Sequence, residues 1–154
     1  MMEIPKPTEA HQKLQKLVGN WKGEEKIFPS PWDPKGGISQ GYIENRSGLG
    51  GFIVIQDVKS EKNGEVIFEG HGVFSWDQKQ NEYTLHWVDS MGMPLHVFRG
   101  DFDKETLTLL HEESEGYARM RVDLSDENRY FLKVDISQDG KNWQPLSEAQ
   151  YQKA

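Results

Sequence analysis

The sequence predicts an all-β fold: a single up-and-down antiparallel β-barrel of about ten strands, with a short N-terminal helix at its closed end. Three observations predict it. Short alternating or apolar runs recur about every 10–12 residues after Gly19. Turn chemistry separates nearly all of them. No segment of helical period and length interrupts the series.

The helix is expected over residues 8–17. Pro7 and Thr8 supply start signals, with Thr8 as N-cap; Leu14, Leu17 and Val18 form the apolar stripe, and Gly19 ends it. Strands are expected near 20–28, 37–47, 51–60, 65–76, 81–89, 95–102, 105–112, 116–124, 128–137 and 142–152. Asn-Gly in "KNG" (62–64) and Asp-Gly in "QDGKN" (138–142) are hairpin turns. "DQKQN", "MGMP", "DFDKE", "SEG" and "SDEN" are further turns. The one longer connection, "PSPWDPKGG" (29–37), is proline-rich and reads as a stiff loop carrying Trp32. Consecutive hairpins over so many strands leave two exposed edges unless the sheet closes, and closure at this strand number leaves space inside. A two-sheet sandwich is the alternative, but it calls for longer crossing loops.

One domain, residues 1–154, accommodates the 154-residue chain, with the barrel over 20–152. The formal net charge of −7 excludes nucleic acid and anionic membrane surfaces as partners by repulsion. The absence of cysteine excludes disulfides and thiolate metal sites. "MMEIPKPTEAHQKLQKL" has no apolar run of signal-peptide length, which places the protein in the cytoplasm.

Gly19 and Trp21 in "LVGNWKGE" give Gly-x-Trp between a helix and a first strand. This resembles the calycin group of barrels: lipocalins, fatty-acid-binding proteins and nitrobindin-like proteins. There the indole plugs the closed end, and the glycine lets the preceding segment pack beneath it. "LVGNWKGEEKIFPSPWDP" (17–34), "GHGVFSWD" (70–77), "YTLHWVDSMG" (83–92) and "SQDGKNWQPLSEAQY" (137–151) together are similar to the bacterial domain-of-unknown-function family 1579. That resemblance covers nearly the whole chain and implies a calycin-like barrel with no established activity. Barrels of this group often carry an arginine near the chain end, packed on the plug tryptophan. Here "YQKA" puts Gln152 or Lys153 in that region, and because lysine does not replace a stacked arginine, the contact is not assigned. The loop 29–37 has no room for the helical lid of fatty-acid-binding proteins. In the nitrobindin-like branch a histidine binds haem inside the barrel. No motif here matches that ligand, so no cofactor is assigned and haem stands only as an alternative.

Candidate ligand-binding residues follow from strand phase. Val66, Phe68, Gly70, Gly72, Phe74 and Trp76 share one face. The paired glycines read as a bend that relieves barrel curvature, or else as a close approach of a ligand or neighbouring backbone. Tyr83, Leu85, Trp87 and Asp89 alternate likewise. A carboxylate in phase with large apolar residues is either a pocket-mouth group or a turn former. The expected interior is aromatic, lined from Trp21, Tyr42, Phe52, Phe68, Phe74, Trp76, Tyr83 and Trp87, with His71 and Asp89 as polar groups. A small, mostly apolar or aromatic molecule is its expected ligand.

His11, His71, His86, His96 and His111 include no pair at metal-binding local spacing, so no metal site is assigned; four lie on consecutive strands, which leaves a cross-strand cluster open. An enzyme is the alternative reading, with Asp89 and either His71 or His86 as acid–base partners. However, no P-loop, G-x-S-x-G, dinucleotide fingerprint or H-E-x-x-H is present, and the reading leans against catalysis. A homodimer through barrel walls is a further alternative, because "GFIVI" and "VIF" are apolar on both faces. Arg119 and Arg121, in phase with Tyr117 and opposite to Ala118, Met120 and Val122, are expected outside; with the phase reversed they would make an internal carboxylate clamp. In the last strand Trp143 is expected on the face of Ala149 and Tyr151, with a bend at Pro145.

Overall fold

A computed structural model describes residues 3–31 and 33–154. Trp32, which the first loop carries, lies outside the described residues. The helix α1 (Glu9–Leu14) continues as a 3-10 turn over Gln15–Leu17. Ten strands follow: β1 (Gly19–Ile27), β2 (Gly37–Gly48), β3 (Ile53–Lys62), β4 (Glu65–Asp77), β5 (Glu82–Asp89), β6 (His96–Asp103), β7 (Thr106–Glu113), β8 (Gly116–Asp123), β9 (Arg129–Ser137) and β10 (Gln144–Lys153). Each pairs antiparallel with its sequence neighbour, and β1 pairs with β10 to close the barrel, so no edge remains. The expected helix and all ten expected strands are present; β1 starts one residue earlier and β3 two residues later than expected.

Hairpin chemistry sets the register. Asn63 and Gly64 both have positive φ (54° and 78°), the type I′ geometry that matches strand twist. Two irregularities shift the phase. Between β3 and β4 the partners jump from Ser60↔Phe68 to Glu61↔Val66. The extra residue, Ile67, turns Val66 outward, and both side chains are exposed. Between β9 and β10 they jump from Asp135↔Pro145 to Val134↔Ser147. This second shift corrects the expectation for Trp143. It lies outside, 4.2 Å from the Arg119 guanidinium, while Ala149 and Tyr151 face in.

Because β1 begins beside the helix, odd strands run away from the helix and even strands run back. The helix end is closed. Leu14 and Leu17 are fully buried there, with Val54, Phe74, Leu107 and Val122. Each such aliphatic or aromatic side chain contributes about 1.5–3 kcal/mol by leaving water. The Leu17 carbonyl, orphaned at the end of the 3-10 turn, accepts from Trp21 Nε1 (3.1 Å) and Asn45 Nδ2 (2.9 Å). Tyr83 Oη donates to the Ala10 carbonyl at 2.8 Å, and Lys16 pairs with Glu105 at the β6–β7 turn. Gly19 has φ of 148°, and its missing Cβ leaves the space that the Trp21 ring fills at 3.2 Å. Lys153, on the last strand, sits 5.6 Å from the Trp21 ring, in the region where the resemblance implied an arginine.

Candidate functional site

The opposite end behaves differently. Ile27, Val58, Phe68, Trp87, His96 and Ile136 face inward by strand phase, yet each is only partly buried. Their partial exposure sets the open half of the barrel, a cup, apart from the packed floor. The mouth is rimmed by the exposed apolar side chains Ile38, Ile67, Met91, Met93 and Leu95.

One wall of the cup carries a carboxylate. Glu25 shares its phase with Trp21, Gly23 and Ile27, so β1 sends it inward. Its Oε1 accepts from Ser39 Oγ (3.0 Å) and Ser60 Oγ (2.6 Å), and its Oε2 accepts from Tyr151 Oη. All three donors are buried. Gly41 makes the space: a Cβ there would lie 2.4 Å from the Glu25 carboxyl carbon. Three donors occupy three of the roughly four lone-pair sites of a carboxylate, leaving about one acceptor direction and the negative charge. Burial and the adjacent Glu25 charge both push the Tyr151 phenol far above its ordinary pKa, so Tyr151 is a fixed donor. Beneath it, burial raises Tyr130 to about 12, and Gln56 Nε2 donates to its hydroxyl at 3.3 Å.

Trp87 lines the next arc. It lies flat on β4, where Gly70 and Gly72 face in. A Cβ on Gly70 would meet the indole at 2.3 Å, and one on Gly72 would meet Leu85 at 2.7 Å and Trp87 at 2.9 Å. The two glycines therefore mark a close approach, and what approaches is the neighbouring strand's indole. Asp89 holds that ring: Oδ2 accepts from Trp87 Nε1 at 2.8 Å, while Oδ1 accepts from the Met91 backbone at 2.9 Å. The turn-former reading of Asp89 is realised at Met91, and its other oxygen anchors the indole, a contact the strand pattern did not assign.

On the far arc, β6 and β7 bring His96 and His111 into a stack, 4.4 Å between centroids and 15° from parallel. Glu113 Oε2 lies 3.6 Å from His111 Nε2. Strand phase puts both histidines inside, a cross-strand pairing that local spacing did not assign.

The expected lining residues divide accordingly. Phe68, Trp87 and Asp89 are in the cup. Trp21, Phe74, Trp76 and Tyr83 belong to the closed floor and its packing. Phe52 lies in the β2–β3 connection and packs edge-on against His11 at 4.9 Å. Two positions require correction. Tyr42 faces outward, with Lys59 Nζ 5.2 Å from its ring, because β2 points Ser39, Gly41, Ile43 and Asn45 inward instead. His71 also faces outward, 2.6 Å from Asp57 Oδ1; that contact, more than Arg46, holds the Asp57 carboxyl below its usual pKa. His86 is exposed on the outer wall. No histidine bonds to Asp89 among the described residues, so the Asp89–histidine acid–base pair is not assembled.

Outside, Arg119 and Arg121 converge on Asp135 Oδ2 at 3.1 and 2.8 Å. Asp135 is buried and Trp143 stacks on Arg119, so this exterior cluster is an ionic triad that ties β8 to β9. Two shallow concavities, of about 590 and 370 Å³, also lie on the outer wall, the larger one against Lys26, Arg121 and Lys133. Their mixed charges and open shape make them grooves of the twisted sheet.

Residues 6–153 match the family described as protein of unknown function DUF1579, and the chain belongs to that family. No curated protein matches it in sequence. Among solved structures it is similar to Rv2717c from M. tuberculosis, with a TM-score of 0.68 at 13% identity, covering 96% of this chain and 98% of that one. It is also similar to the S-type phycobiliprotein lyase CPES from Guillardia theta, with a TM-score of 0.60 at 10% identity and the same coverages. At these identities the likeness is one of fold. Among the described residues no helix is long and apolar enough to cross a membrane.

Proposed function

We propose that the protein binds a small organic molecule in the open half of its barrel. The molecule has a mostly apolar or aromatic body, which Phe68, Trp87 and Ile136 contact, and an N–H or O–H donor that reaches Glu25. The observation that carries this reading is the inward carboxylate on its three hydroxyls. A charge facing into a barrel costs stability unless it is hydrogen-bonded. Here the sequence devotes Ser39, Ser60, Tyr151 and the space at Gly41 to holding one at the boundary between packed floor and open cup. A few oriented polar groups in an apolar concavity are the usual make-up of a ligand site. The shared barrel architecture of a lyase, CPES, supports a binding use of this scaffold. With Asp89 committed to Trp87 and the turn, no reaction is proposed.

Native mass spectrometry of protein purified from its own host tests the reading. The expected spectrum shows a small-molecule adduct that disappears on denaturation and is weakened in Glu25→Gln. An adduct retained in full by Glu25→Gln removes the carboxylate from the site. A spectrum of bare protein, together with Trp87 fluorescence unmoved by a panel of aromatic amines and alcohols, overturns the proposal.

A further inference from the structure

We infer that His96, His111 and Glu113 form a binding site for a divalent first-row transition metal, such as Zn²⁺, on the β6–β7 wall of the cup. The inference is independent of the organic ligand proposed above. His111 carries the argument. Its Nδ1 lies 3.0 Å from the Val97 carbonyl, which only accepts, so Nδ1 bears the proton. The Nε2 of the neutral ring is then a lone pair. That atom is buried without a hydrogen-bond partner, and the Glu113 carboxylate lies 3.6 Å from it. Two acceptors facing each other repel, and a cation between them reverses the sign of the interaction.

The rest of the cluster fits a metal. One ligand atom from each of the three side chains lies within 4.8 Å of the others. Tetrahedral coordination with metal–ligand distances of about 2.0–2.2 Å puts donors roughly 3.3 Å apart, so the groups must close by about 1.5 Å or less. None of the three is locked in the core, so side-chain rotation supplies that movement. The stack of His96 on His111 opens in the process. A metal-ligating histidine characteristically gives its other N–H to a backbone carbonyl, the arrangement His111 already has with Val97. Two imidazoles and one carboxylate suit Zn²⁺, Co²⁺, Ni²⁺ or Cu²⁺ better than Mg²⁺ or Ca²⁺. A three-ligand set leaves a further coordination position for water or a donor atom of a bound molecule.

The test is titration of the full chain with Zn²⁺ by calorimetry and with Co²⁺ by visible absorption. The expected result is one metal per chain, with the strong bands of four- or five-coordinate cobalt. Binding should weaken at least tenfold in His96→Gln, His111→Gln and Glu113→Gln. It should be unchanged in His71→Gln, which alters the outward histidine beside Asp57. Far-UV circular dichroism checks each fold. Glu113, at the exposed rim, carries the test if a histidine variant does not fold. Cobalt that keeps its six-coordinate aqueous spectrum overturns the inference, as does metal uptake equal in wild type and Glu113→Gln. The first outcome would mean that a proton alone bridges His111 and Glu113.

Discussion

Replacing Gly70 by alanine asks whether the indole of Trp87 lies where the cup requires it. Gly70 has ordinary negative-φ backbone, so alanine meets no conformational objection. What it meets is the ring: its Cβ would sit 2.3 Å from Trp87 Cη2 and Cζ2, and 2.9 Å from Val58 Cγ2. Carbon atoms pack at about 3.5–4.0 Å, so a rigid indole must retreat by roughly 1.5 Å. The retreat also pulls Nε1 away from Asp89, 2.8 Å distant. Overpacking of this kind costs about 1–3 kcal/mol. The lower part of that range applies, because the ring has the open cup to move into. In a Trp87→Ala background the obstacle is gone. Glycine-to-alanine then gains about 0.4–1 kcal/mol by restricting the unfolded chain, less whatever the Val58 contact takes back. The expected coupling in a double-mutant cycle is therefore about 1.5–3 kcal/mol. Urea unfolding of the four proteins, followed by far-UV circular dichroism, measures it. An equal cost for Gly70→Ala with and without Trp87 would refute the placement of the indole and, with it, the shape of the cup.

Two further outcomes follow from buried polar groups. Tyr130 is raised from 10.0 to about 12 by burial, and Tyr151 is raised further by burial and Glu25. Above pH 10 the unfolded chain loses these protons while the fold keeps them, so their stability contribution is intact below pH 10 and falls as pH rises. Each tyrosine removes about 1.4 kcal/mol per pH unit, roughly 5 kcal/mol for the pair by pH 12. Unfolding and the ultraviolet absorbance of tyrosinate should therefore appear together; full tyrosine ionisation near pH 10 with unchanged circular dichroism would contradict this. On the outer wall, Asp135→Ala leaves Arg119 and Arg121 facing each other and should cost about 3 kcal/mol in urea unfolding. A loss below 0.5 kcal/mol would show that Trp143 and the strand pairing hold β8 to β9 without it.

Strand rhythm made the barrel legible, because period-two alternation and turn residues are local properties. The cup was only partly legible, because it depends on which phase faces in. Trp87 and Asp89 stood out as aromatic and acid in one phase. The same signal was present in β1, where Lys22, Glu24 and Lys26 occupy one phase and Glu25 is the lone charge among Trp21, Gly23 and Ile27. It was masked by the adjacent Glu24, which makes the pair read as solvated surface. Tyr42 and His71 were misplaced because composition nominates an aromatic or a histidine but does not orient it. Trp143 was misplaced by one extra residue near Pro145, since a bulge inverts every side chain beyond it. The His96–His111 stack depends on the β6–β7 register, which no spacing within either strand reveals.

The division of the interior explains how the fold tolerates a charged cup. Trp21, Phe74 and Tyr83 fill the closed half with the helix residues Leu14 and Leu17, and all five are almost wholly removed from water. A ligand therefore has no room among Trp21, Phe74 and Tyr83, three of the aromatics that composition nominates for it. Where that packing stops, the polar side chains begin: Gln56 with Tyr130, then Glu25 with its hydroxyls, then the histidines nearer the mouth. Each step toward the mouth lowers the desolvation cost of a polar group. On the proposed reading, stability is thus concentrated at one end of the axis and recognition at the other. The open half can change its polar residues at small cost to the fold, whereas a truncation at Leu17 opens a cavity and should cost about 2–5 kcal/mol. If the open half binds as proposed, a barrel built this way keeps its floor while varying what its mouth accepts.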